Sequence, residues 1–250
     1  MSCAASHGAA TTTSPDVNLL KRYRTALARH HRSRGFGIHS PSAYHFVTQV
    51  LGERLPYYAY DDLRQLRRAL RDSGEQSLIS NHDAQLLFRI AGHFAPQHIL
   101  LVGADSALTI AALLMPSSQT DAYTCGDNKR LDDIVRQLDK LADRVLPYVE
   151  LKTALFDYMA AFIDRPKRPF VVINALPDPE HAAILQRGLN ECLQGECVVI
   201  IRNLHRDPAI KQLWHEAKAM MPHGHSYTNH KTAILVARPA IPREHFDIWL

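Results

Sequence analysis

The chain has 250 residues, of which 46% are hydrophobic and 22% charged, with a formal net charge of +4. These are globular values, enough for a sizeable core in one domain with a small appendage. No stretch reaches the roughly 18 apolar residues that a membrane span needs. Met1 to Ser14 lacks the basic start and apolar centre of a secretory signal, so a cytoplasmic protein is expected.

Residues 1–15 are rich in Ala, Ser and Thr and read as a disordered tail. From Asp16 a helix is expected, because Val17, Leu19, Leu20, Tyr23 and Leu27 have helical spacing; Gly35 and Gly37 end it. The same stretch crowds Lys21, Arg22, Arg24, Arg29, Arg32 and Arg34, and a second basic cluster follows at Arg64, Arg67, Arg68 and Arg71. Such clusters can meet phosphates, so a nucleic-acid partner stays open, but a solvated helix face is the ordinary explanation. Ser40 before Pro41 reads as a helix cap with Pro at the first helical position. Tyr44, Phe46, Val47, Val50 and Leu51 give that helix its apolar face, and Pro56 breaks it. A third helix runs from Tyr60 or Asp61 to about Arg71. Residues 16–75 are thus expected to form a helical extension, packed over the carboxyl ends of the sheet that follows.

Residues 76–250 change pattern. Asn81 caps a helix to about Phe94, and His98 to Gly103 reads as a short buried strand ending in Gly. A helix from Ser106 to Met115, a strand from Ala122 to Cys125 and a helix from Lys129 to Ala142 follow. A strand is expected at Val149–Lys152, a helix at Leu155–Ile163 and a strand at Pro169–Asn174. Pro179–Leu193 and Pro208–Met221 read as helices around a strand at Glu196–Arg202. His225–Thr228 and Thr232–Arg238 close the chain as a hairpin about Asn229–Lys231. Apolar strands alternating with helices are buried on both faces, the mark of a parallel sheet covered by helices. The fold expected is α/β: a Rossmann-like, doubly wound, seven-stranded sheet with an antiparallel last strand.

In such a sheet, ligands lie beyond the carboxyl ends of the strands, at the point where the strand order reverses. The loops after Val102, Cys125, Ile173 and Ile201 are therefore the candidates. Cys3, Cys125, Cys192 and Cys197 form no CxxC pair and no metal spacing, and read as reduced thiols. The 15 histidines include no HExxH frame, and neither a GxSxG elbow nor a Walker loop occurs.

The order of elements resembles a class I S-adenosylmethionine-dependent methyltransferase. Gly35-Phe-Gly-Ile-His-Ser-Pro41, Pro56-Tyr-Tyr-Ala-Tyr-Asp61 and Leu86-Leu-Phe-Arg89 look more specifically like a bacterial group with a helical N-terminal extension. His98 to Gly103, Pro169 to Asn174, Asn203-Leu-His205 and Trp214 carry the likeness on through roughly residue 250. The resemblance implies S-adenosylmethionine as the cofactor, touched by Gly103, Asp105, Asp127 and Asn174. His205 would be the catalytic base for a hydroxyl acceptor. It names neither the acceptor nor a protein partner, and leaves a homodimer open.

The departures from that family matter as much. The acidic residue that ends its first strand is Leu101 here, and its next glycine is Ala107; Asp105 is placed to substitute. Gly126 takes the ribose-binding carboxylate's position, with Asp127 one residue on. The fourth strand ends in Asn174-Ala-Leu-Pro177 instead of an acid with polar partners. After the fifth strand, Arg202-Asn203 replaces paired acids, and a guanidinium repels a divalent cation, so no metal is expected. Five positions in four loops favour a methyltransferase fold with a degraded cofactor and metal site, in a non-catalytic binding or regulatory role. An active O-methyltransferase is the alternative. Arg202 is expected either to pair with Asp105 or Asp127 and plug the end of the sheet, or to present its charge to an anion.

Overall fold

The computed structural model describes residues 15–75, 78–126, 128–162, 168–176 and 179–249. Of the expected tail, residues 1–14 lie outside the described residues, and Pro15 opens the first helix, α1 (Pro15–Ser33). Ser40 does cap α2 (Pro41–His45), which runs straight into a π-helical turn at Phe46–Leu51. Helix α3 spans Ala59–Asp72 and α4 spans Asn81–Phe94. The cap of α4 is Ser80 rather than Asn81: its Oγ accepts from the Asp83 N–H at 3.0 Å.

Strand β1 (His98–Val102) leads into α5 (Ala107–Leu114), β2 (Asp121–Cys125) and α6 (Asn128–Arg136). The helix expected to continue to Ala142 stops here. Asp139 takes a left-handed φ of 46°, and a 3₁₀ turn covers Asp139–Arg144. Strand β3 is Val145–Tyr148, not Val149–Lys152, and α7 begins already at Leu151 and ends at Ala160. Pro147 sits inside β3, tolerated because β3 is the outermost strand and needs no ladder N–H on its open side. Strand β4 (Phe170–Ile173), α8 (Pro179–Leu193), β5 (Cys197–Ile201) and α9 (Pro208–Met220) follow. The chain closes with β6 (His225–Thr228), β7 (Ala233–Ala237) and β8 (Glu244–Asp247).

The sheet is doubly wound, in the order β3-β2-β1-β4-β5-β7-β6-β8. It has eight strands where seven are expected. The antiparallel strand is β7, wedged between β5 and β6, and the additional β8 runs parallel to β6 at the far edge. Strand order reverses between β1 and β4, which pair side by side with Val102 opposite Ile173. That reversal sets the crevice.

Alternate strand residues feed two cores. Ile99, Leu101, Val172 and Ile200 face α4 and α5, while Leu100, Val102, Ile173 and Ile201 face α7, α8 and α9. Every residue of α5 is buried, as befits a helix between the sheet and an outer layer. That outer layer includes the N-terminal helices: Phe46, Val47, Leu63 and Leu70 join the α4/α5 core. They cover this face instead of the strand ends expected from sequence. Arg89 of α4 fastens them, its Nε donating to Val50 O at 2.8 Å and its Nη2 to Leu51 O at 3.1 Å. No helix among the described residues is long and apolar enough to cross a membrane.

Candidate functional site: the carboxyl end of the sheet

Gly103, the first residue beyond β1, has φ +71°. A Cβ there would lie 2.7–2.8 Å from the backbone and side chain of Ala175 in the loop after β4. Only glycine permits that approach. Its N–H is already engaged, donating to Cys125 O at 2.8 Å. The turn that the resemblance assigns to a cofactor therefore packs against the protein's own loop.

Asp105 follows, and Ser106 caps α5 with its Oγ 3.4 Å from the Thr109 N–H. This places Thr109 one helical turn after Asp105, and Thr109 Oγ1 donates to Asp105 Oδ1 at 2.5 Å. Asn174, at the end of β4, donates from Nδ2 to the same oxygen at 3.4 Å. Arg202, at the end of β5, brings Nη1 to 3.2 Å from Asp105 Oδ2 and donates to Asn174 Oδ1 at 2.9 Å. Asn203 takes a left-handed φ of 64° and donates from Nδ2 to Asn174 O at 2.9 Å. Outside this knot, Arg130 Nη2 donates to the Asp105 carbonyl at 2.7 Å.

Arg202 is 5% exposed and Asn174 2%. A guanidinium so far from water needs a carboxylate partner, and Asp105 supplies it. The network links the loops after β1, β4 and β5 across the crevice.

Four of the residues singled out from sequence, Gly103, Asp105, Asn174 and Arg202, come together here, and Arg202 has Asp105 as its partner. His205 is exposed in the turn after β5, and among the described residues it does not join this network. Asp127 lies outside the described residues. Thr109 and Arg130 belong to the site without having been singled out, and Asn203, noted from sequence only as a departure, binds the Asn174 carbonyl. Thr109 had a signal, its four-residue spacing from Asp105 on a helix; Arg130 had none, because its contact joins two separate loops. Tyr57, Tyr58 and Tyr60 do not line the crevice. Tyr57 and Tyr60 pack on Phe88 of α4, and Tyr58 is 96% exposed. In the second basic cluster, Arg64 pairs with Asp61 and Arg67 Nε donates to Ile79 O at 2.9 Å, so both serve the fold. Arg24, Arg32 and Arg34 are exposed on and just after α1. Among the described residues no three His, Cys, Asp or Glu side chains converge as a metal site would require.

A buried guanidinium, that of Arg202, stands where the strand order reverses. Both Asp105 oxygens are engaged, and the Gly103 N–H is turned to Cys125.

No family model and no curated protein matches the chain. Solved structures do. An O-methyltransferase from Bacillus cereus, in complex with SAH, is 17% identical, with 76% of this chain and 95% of that chain covered and a TM-score of 0.51. Cofactor-bound Rv0187 from MTB is 16% identical over 76% of this chain and 93% of that one, with a TM-score of 0.52. At such identities the likeness is one of architecture, and it agrees with the strand order and the reversal between β1 and β4. The chain has the fold of a class I S-adenosylmethionine-dependent methyltransferase.

Proposed function

We propose that this protein uses the methyltransferase fold without methyl transfer, as a binding or regulatory protein whose cofactor end is closed by its own side chains. The observation that carries this reading is Arg202, buried and bonded to both Asp105 and Asn174. A cation built into the crevice opposes a sulfonium, and its partners are the groups a cofactor would need.

S-adenosylmethionine is the cofactor this fold implies, so it is the probe. Isothermal titration with S-adenosylmethionine up to millimolar concentration is expected to give no binding heat. Micromolar affinity would overturn the reading and support an active O-methyltransferase, with Gly103, Asp105, Asp127 and Asn174 on the cofactor and His205 as base.

A further inference from the structure

A second concavity lies at the opposite end of the same strands. A cavity of about 360 Å³ opens at the amino ends of β1, β4 and β5. Cys197 at this end and Ile201 at the other are separated by roughly 13 Å of strand, so the two regions do not overlap. The volume falls within the roughly 300–1,000 Å³ that small-ligand sites occupy.

Local sequence explains the cavity. Helix α4 ends in Ala95, held at a left-handed φ of 43°, and Pro96 then turns the chain toward β1. Phe94 is left at the mouth, its ring 6.3 Å from that of Phe170. With Phe162 and Val198 they make an apolar floor. Burial pushes the Cys197 thiol well above its ordinary pKa, so it is a neutral part of the wall.

The rim is charged. Glu196 has Arg168 Nε 2.9 Å from one oxygen and Arg238 Nε 3.7 Å from the other. Among the described residues of the rim, two guanidinium groups share one carboxylate. Each arginine approaches Glu196 with its Nε, and a guanidinium carries five N–H donors, more than one such contact uses. An apolar floor beneath a cationic fork suits a ligand with an apolar body and a single acidic head.

We infer that this cavity is a binding site for a small monocarboxylate with an aromatic or branched apolar body, seated on Phe94 and Phe170 with its carboxylate on Arg238 and Arg168. The inference does not depend on the state of the carboxyl end: titration with S-adenosylmethionine reads one end of the sheet and this site reads the other.

Phenylacetate and its neutral isostere phenylacetamide are the probes, titrated into the full chain by ligand-observed NMR. Phenylacetate is expected to bind saturably, and the amide about tenfold more weakly, because it lacks the charge-assisted pairing. Arg238→Gln and Arg168→Gln should each shrink that difference. Val236→Phe, at a half-buried lining position, should weaken both probes by filling the cavity. If either arginine variant fails to fold, the acid–amide contrast on the parent decides. Equal binding of acid and amide, or no saturable binding of phenylacetate, would overturn the inference.

Discussion

Arg202 and Asp105 are 97 residues apart in the chain, yet their side chains meet at 3.2 Å at the reversal point of the sheet. Strand ends place both. Asp105 stands three residues beyond β1 and Arg202 one residue beyond β5, with Asn174 of the intervening β4 bonded to each. A pair of this kind is costly to break from one side, because the remaining ion keeps its desolvation penalty and loses its partner.

Arg202→Ala is therefore expected to destabilise the protein by about 2–3 kcal/mol, less than a fully buried pair because Asp105 keeps some solvent. Thermal denaturation should show a melting temperature lower by roughly 5–10 °C. An unchanged melting temperature would mean that the pair does not hold the end closed.

Gly103→Ala tests the close approach of the β4 loop. The substitution meets a strained φ and an overlap with Ala175, and should cost about 2 kcal/mol or more. Urea unfolding would report it as a lower midpoint at constant slope. A midpoint equal to that of the parent would show that the loop moves aside readily, and with it the closure of the crevice.

Arg89→Met removes the side chain that holds the π-helical turn to α4. Its three bonds reach Val50 O, Leu51 O and the Tyr60 hydroxyl, the last at 3.3 Å. A loss of about 2–4 kcal/mol is expected, with faster amide exchange concentrated in residues 41–51. Exchange rising evenly through the sheet instead would argue that Arg89 supports the whole core.

Three histidines make stability depend on pH on the acid side. His93, His225 and His245 are each held below the ordinary 6.5, in every case first by desolvation. His45 and Arg238 add to the effect at His93; at His225 Glu244 opposes and Arg238 adds. Lys218 lowers His245 further, against Asp247. Below about pH 6.5 the unfolded chain binds more protons than the folded one, so stability falls as pH drops through that value. Urea midpoints should be lower at pH 5.5 than at pH 7.5, and His225→Phe should lessen the fall. A midpoint as high at pH 5.5 would contradict the assignment.

The strand and helix pattern was legible wherever burial was two-sided. Phe170 to Ile173 and Cys197 to Ile201 are continuous apolar runs, and they are central strands. The edges were not. Val145 to Tyr148 contains a proline, and Glu244 to Asp247 has two aromatic rings between two acids after Pro242, so neither carries the apolar run of a central strand. At the site, Gly103, Asp105, Asn174 and Arg202 were legible because each ends a recognisable strand. Arg130 was not, because a loop-to-loop bond leaves no periodic trace in sequence. His205 was placed by resemblance, and it is exposed in the turn after β5.

The two margins of the sheet differ from its centre in one further respect. Pro147 denies β3 a backbone donor, and β8 is four residues long and carries Glu244 and Asp247. Both devices discourage the addition of a foreign strand. Growth of the sheet from molecule to molecule, the route to fibres, is disfavoured at each end, and the eight strands tend to stay a closed set.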